Sequence, residues 1–277
     1  MTTASGGPFE VLAARGPRHA VVAHVPHAAT LIPAPIRREI MLDDAALAQE
    51  LVRLTDWHVD ALFSGLLTHG IPMFVNRLSR LVFDPERFAD DATEPMARVG
   101  QGAVYTHTTD GRPLRPMTDR QRNDRITQFY VPYHAAFTAL VTDTVERFGH
   151  CHILDCHSFA SDPLPSEPDQ NRDRPDICIG TDRVHTPPDL AEALRQALDA
   201  EGWRVRVDAP FAGSIVPLAY YERADLVTSV MIEVRRGLYC DERTGQPTPP
   251  FAAVQEHLER AILPTLPVQI SGPAITT

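Results

Sequence analysis

His19-Ala-Val-Val-Ala-His-Val25 is a short run rich in β-branched side chains, and Pro26 ends it. An apolar run bounded by a breaker reads as a buried strand, with His27 in the loop at its carboxyl end. Strand and helix patterns alternate from there on. Residues 43–70 carry Leu47, Leu51, Leu54, Val59, Leu62, Phe63 and Leu66 at helical spacings, closed by Gly70. Residues 71–76 and 81–84 read as short strands. Residues 85–117 show no period, and a loop of that length is usually functional or mobile. Thr118 and Gln121 fit a capping box for a helix toward Phe148, with Pro132 a kink or break. Residues 152–154 read as a strand leading into Asp155-Cys-His157, and residues 158–175 as a polar, Pro-rich loop. Further strands are expected over 176–181, 204–207 and 229–234. Helices are expected from Pro187 to Gly202 and over 251–262, with an irregular tail after Pro264. This alternation argues an α/β fold with a mixed, largely parallel sheet. No repeat, low-complexity segment or linker interrupts it, so one domain over 1–277 is expected.

Composition removes several chemistries. The 277 residues carry 36 Asp plus Glu against 26 basic residues, a formal net charge of -10. That excess repels phosphate backbones and argues against nucleic acid as partner. Every basic residue is Arg, so Schiff-base, P-loop and Ser–Lys chemistries are excluded. Cys151, Cys156, Cys178 and Cys240 form no C-x-x-C pair and resemble neither a zinc ribbon nor a disulfide framework. Residues 1–10 lack the basic and apolar regions of a secretory signal, and no apolar run reaches membrane-spanning length. A cytoplasmic protein away from membranes is the expectation. Twelve His without Cys pairs point to imidazole chemistry if a metal is bound.

In open α/β sheets, ligands collect outside the carboxyl ends of strands. His27, Asp155, His157 and Glu233 stand at such ends. Two imidazoles plus one carboxylate are the usual protein ligands of a catalytic zinc, and Asp56, Asp155 or Glu233 could complete the set. Pattern alone leaves His27 as a surface loop residue or a ligand, and Asp155 with His157 as ligands or a structural ion pair. His24, inside its strand, reads as a packing residue. Glu233, among Met231, Ile232 and Val234, suits a general base of raised pKa, although a salt bridge to Arg is commoner. Arg77, Arg80 and Arg87 form either a solvated face or a clamp for carboxylates. Ser158 has no G-x-S-x-G elbow, and alternation turns Cys156 away from its neighbours, so a nucleophilic route is disfavoured.

With these residues in view, the sequence resembles the N-formylglutamate amidohydrolase family. The matching stretches include Val25-Pro-His-Ala28, Thr55-Asp-Trp-His-Val-Asp60 and Asn76-Arg-Leu-Ser-Arg-Leu-Val-Phe-Asp84 with Glu86-Arg-Phe88. Val104-Tyr-Thr106, Tyr130-Val-Pro-Tyr-His134, Leu154-Asp-Cys-His-Ser-Phe159, Asp176-Ile-Cys-Ile-Gly180 and Glu233-Val-Arg235 follow in order, spanning about residues 8–245. The resemblance implies a three-layer α/β sandwich like that of the zinc carboxypeptidases. It implies zinc, or another divalent metal, held by His27, His157 and Asp56, with Glu233 as general base. Asp56 would replace the carboxylate of an H-x-x-E motif, because position 30 is Thr. The activity implied is hydrolysis of N-formyl-L-glutamate to formate and glutamate in histidine breakdown. On that scheme Arg80 stabilises the oxyanion, and the carboxylates of a small acidic N-acyl amino acid substrate fall to Arg77, Arg80, Arg87 and Arg235. The 85–117 loop with Tyr105 would close over the substrate. Competing readings are a zinc amidohydrolase of another N-acyl amino acid or peptide, and a metal-free binding protein.

Overall fold

The computed structural model describes residues 7–266. Residues 1–6 of the polar amino-terminal stretch, and the tail from 267, lie outside the described residues. Seven strands form one sheet: β1 (Phe9–Leu12), β2 (Val21–Val25), β3 (Met73–Asn76), β4 (Cys151–Phe159), β5 (Ile177–Gly180), β6 (Val205–Val207) and β7 (Val227–Arg235). Their order is β1-β3-β2-β4-β7-β5-β6. β3, β2, β4 and β7 run parallel. β1 pairs antiparallel with β3 at one edge, and β5, with β6 parallel beside it, runs antiparallel to β7. The helices are α1 (Ala34–Arg37), α2 (Asp44–Leu54), α3 (Val59–Leu62), α4 (Asp119–Arg125), α5 (Val131–Phe148), α6 (Pro188–Ala200) and α7 (Phe251–Ile262).

Helices cover both faces, which makes three layers, and strand alternation decides what each face buries. Val21, Ala23, Val25, Leu154, Cys156 and Ile232 pack with Val59 and Leu62 of α3, Leu194 and Leu198 of α6, and Leu258 and Ile262 of α7. Val22, Phe74 and Ile153 face Phe137 and Val141 of α5. Because β2 is buried on both sides, its sequence is continuously apolar apart from His24. Truncating Phe137, which is fully buried, to Ala should cost about 3–5 kcal/mol. Among the described residues no helix is long and apolar enough to cross a membrane.

Several sequence expectations change. The helical pattern of 43–70 is three pieces: α2, α3 and a 3-10 turn over Ser64–His69. The break at Thr55–His58 is built in. His58 takes a left-handed φ of 60°, Asp56 N–H donates to His27 O at 3.0 Å, and Arg236 captures the carbonyls of Arg53 and Thr55, each at 2.8 Å. Residues 81–84 form a buried turn rather than a strand, with Val82 N–H bonded to Ser79 O at 2.8 Å. Pro132 lacks an N–H, and the helix absorbs this as a π-helical turn over Ile126–Tyr130 without breaking. β1 has no counterpart in the sequence reading, and β4 runs on through Asp155, Cys156 and His157 to Phe159.

The later part of the 85–117 segment is packed into the body of the fold. Tyr105 and Leu114 are buried against Leu47, Leu54 and Leu81. Thr109 donates to the buried Glu50 carboxylate through N–H at 2.6 Å and Oγ1 at 3.0 Å. Buried polar bonds and apolar packing of this kind oppose local opening at Tyr105, Thr109 and Leu114.

Candidate active site

From β2 the chain crosses to β3 on one side, while β4 lies on the other. Such a switch in direction leaves a crevice at the carboxyl ends of the strands. It opens here into a cavity of about 850 Å³. His27 enters just after β2, Asp155 and His157 from β4, and Glu233 from β7, where it pairs in register with His157. Asp56 arrives from the break after α2, and Asp84 and Glu86 from the turn that follows β3.

The imidazoles of His27 and His157 lie with ring centroids 5.2 Å apart. His27 Nε2 bonds Asp84 Oδ1 at 2.8 Å, while its Nδ1 is buried without a hydrogen-bond partner. That Nδ1 stands 3.8 Å from both Asp56 Oδ2 and Glu86 Oε2. His157 Nδ1 lies 3.2 Å from Asp56 Oδ2, and its Nε2 lies 3.1 Å from Glu86 Oε2 and 3.0 Å from Asp155 Oδ1. One donor atom each from His27, Glu86 and His157 falls within 4.8 Å of the others. Asp155 also accepts from His24 Nδ1 at 2.8 Å, and His24 Nε2 meets Tyr133 Oη at 2.7 Å. His24 is thus buried and fully hydrogen-bonded in its strand, as its position suggested.

The electrostatics favour a cation at this point. Burial and the Arg80 charge lower the pKa of His27, which keeps it neutral as a metal ligand must be. Burial opposes a charge on His157, but Glu86, Asp155 and Asp56 outweigh it and hold its pKa well above the ordinary value. For Asp56, burial is outweighed by the hydrogen bond from His157 and by the nearby positive charges, and its pKa is lowered. Burial would likewise raise Asp84, yet Arg80, His27 and Arg87 hold it well below the usual range. Glu233 goes the other way: burial, reinforced by Asp56, Glu86 and Asp155 against the pull of His157, raises it to about 8. Its Oε2 has no partner. An orphaned imidazole nitrogen, a second imidazole that only acids keep protonated, and two convergent carboxylates fit a divalent cation. The Asp84 contact to His27 has the form of an outer carboxylate that would orient a ligating ring.

The arginines divide into two groups. Arg80 donates to Asp84 Oδ2 through Nε at 3.1 Å and NH2 at 2.7 Å, and Tyr105 Oη donates to the same oxygen at 2.8 Å. Arg80, Arg87 and Tyr105 all line the cavity, but Tyr105 is buried in the wall and does not cover it. Arg87 keeps a buried, unpartnered Nε. Arg77 and Arg235 do not line the cavity, and this corrects the expected carboxylate clamp. Arg77 faces the β1 edge and pairs with Glu10 at 2.9 Å and Asp60 at 3.0 Å. Arg235 is drawn across to Asp176 beside β5. Sequence reading gave Glu86, Asp84 and Arg236 no role. Asp84-Pro-Glu86 directly after a buried apolar run is the available signal for the acids, and for Arg236 it is the place just past the strand end that carries Glu233.

A family model described as N-formylglutamate amidohydrolase matches residues 19–240. A Pseudomonas aeruginosa protein named N-formylglutamate deformylase is 27% identical over 252 residues, covering 88% of each chain. A protein of the same name from Pseudomonas putida is 25% identical, covering 79% of this chain and 80% of its own. Among solved structures, an N-formylglutamate amidohydrolase from Ralstonia eutropha superposes with a TM-score of 0.82 at 26% identity, covering 93% of this chain and 96% of that one.

Proposed function

Because the chain belongs to the N-formylglutamate amidohydrolase family, we propose that it hydrolyses the amide of N-formyl-L-glutamate, releasing formate and L-glutamate. The observation that carries this reading is the convergence of His27 Nδ1, His157, Glu86 and Asp56 beside the unpartnered Glu233 carboxylate. His27 and His157 would hold a divalent metal, zinc on the chemistry of the donor set, with the third ligand from Glu86 or Asp56. When bound, such a metal acts as a Lewis acid toward the formyl carbonyl and brings the pKa of water down to about 7.

The remaining work falls to side chains. Glu233 takes a proton from the attacking water and returns it to the departing amide nitrogen, and burial suits it to both roles. Arg80, fixed by Asp84, presents its charge to the developing oxyanion; losing such a donor typically costs about 10²–10³ in rate. Arg87 binds a substrate carboxylate through its free donors. The relatives named N-formylglutamate deformylase support the deformylation itself; a place in histidine breakdown, in the cytoplasm, is part of the same proposal. The test is formate release from N-formyl-L-glutamate by the zinc-loaded protein, with metal content measured in parallel. Turnover no greater than that of His157→Ala would overturn the reading.

A further inference from the structure

We propose that the acyl side of this site accepts apolar acyl groups several carbons long, so that glutamates carrying N-butyryl to N-hexanoyl groups are substrates. The inference rests on the amidohydrolase reading and concerns the space around it. The cavity holds about 850 Å³. At about 30 Å³ for each water-sized group, the roughly twelve non-hydrogen atoms of N-formylglutamate fill at most ~360 Å³. More than half the cavity is left over, and its walls have a definite character.

Strand order sorts those walls. The donor cluster sits over β2 and β4. Arg80 and Arg87 lie on the β3 side, bound to or beside Asp84. On the opposite side, over β7 and β5, the lining is Phe159, Phe211, Ile215 and Met231. Phe211 is fixed there: its ring meets Phe159 edge-on at 5.8 Å, and its carbonyl accepts from Cys178 Sγ at 3.2 Å. Ile215 is held by its N–H to Asp155 Oδ2 at 3.2 Å. The polar groups on this side include Glu167 and Asp182, and Arg174, stacked against Phe159 and Phe211, is paired with Glu167. The Arg174–Glu167 pair carries no net charge, and Arg236, which also lines the cavity, spends its NH1 on the carbonyls of Val52, Arg53 and Thr55, so the apolar side chains of this side suit an uncharged chain. At the mouth, Leu218 is 74% and Tyr221 54% exposed, and both line the cavity. With substrate carboxylates on the arginine side and the scissile carbonyl at the cluster, the acyl substituent enters this lobe.

The experiment is kcat/KM for the N-formyl, N-acetyl, N-butyryl and N-hexanoyl glutamates with the metal-loaded protein. Carbonyl reactivity changes little from acetyl upward, so that part of the series reports the lobe. Each buried methylene adds up to about fourfold, and a rise of at least about tenfold from acetyl to hexanoyl is expected. In Phe211→Ala and in the exposed Leu218→Ser, whose folding is not at stake, the hexanoyl-to-acetyl ratio should fall severalfold. A flat or falling series, or a ratio unchanged in both variants, overturns the inference while formyl turnover leaves the amidohydrolase reading standing. Turnover of none of the four, formyl included, overturns that reading and this inference with it.

Discussion

Replacing Glu233 by Gln keeps the shape of the side chain and removes its charge. In the metal-free protein the carboxyl is moved from its ordinary 4.5 to about 8. At 1.36 kcal/mol per pH unit, that displacement corresponds to about 5 kcal/mol. The folded state keeps a proton that the unfolded chain gives up above pH 4.5. Glu233's contribution to the stability of the wild type therefore declines as pH rises from 4.5 to 8, and the cost is complete above 8. Glu233→Gln escapes it. The stability difference between variant and wild type should shift in the variant's favour by about 3 kcal/mol between pH 4.5 and 7, and by about 5 kcal/mol above pH 8. Any penalty for the buried amide is constant with pH and cancels from this change. Urea unfolding of both proteins at pH 4.5, 7 and 9 in the presence of a chelator measures it, and a difference that stays constant across that range would refute the electrostatic account of Glu233. In the metal-loaded protein the same substitution should cut kcat by about 10²–10⁴ while leaving metal affinity within a few-fold.

Four further outcomes follow from the same geometry. His27→Ala and His157→Ala should each weaken zinc binding by at least about 100-fold in titration calorimetry; retained affinity would move the metal elsewhere. Comparing Glu86→Gln with Asp56→Asn identifies the third ligand as the one whose loss costs the larger factor. Because acids hold His157 protonated, zinc affinity should rise with pH by about tenfold per unit below its pKa, and a pH-independent affinity would contradict that proton's displacement. Arg87→Ala should raise KM for N-formylglutamate by about tenfold or more, whereas Arg77→Ala and Arg235→Ala, whose partners lie outside the cavity, should leave it within about twofold; steady-state kinetics decide.

Much of this architecture was legible because it depends on short-range pattern. The apolar run of residues 21–25 announces a strand buried on both faces, and the side-chain alternation through Asp155, Cys156 and His157 separates site from core. Residues whose roles depend on distant partners were harder to read. Arg77 and Arg235 look like Arg87 along the chain; only Glu10, Asp60 and Asp176, brought close by sheet pairing, take the first two out of the cavity. The helical spacing of 43–70 hides the break that presents Asp56, because that break is fixed by Arg236, some 180 residues away. Glu86 gave no periodic signal, since it sits in a turn where no face repeats.

β7 is the last of the seven strands in the sequence and yet lies in the middle of the sheet, between β4 and β5. During synthesis, β4 must wait with one long edge bare until more than two hundred residues have emerged from the ribosome. Glu233, the proposed general base, rides on the strand that seals that gap. An incompletely made chain therefore cannot hold both imidazoles and Glu233 in register, and hydrolytic competence arrives together with closure of the sheet.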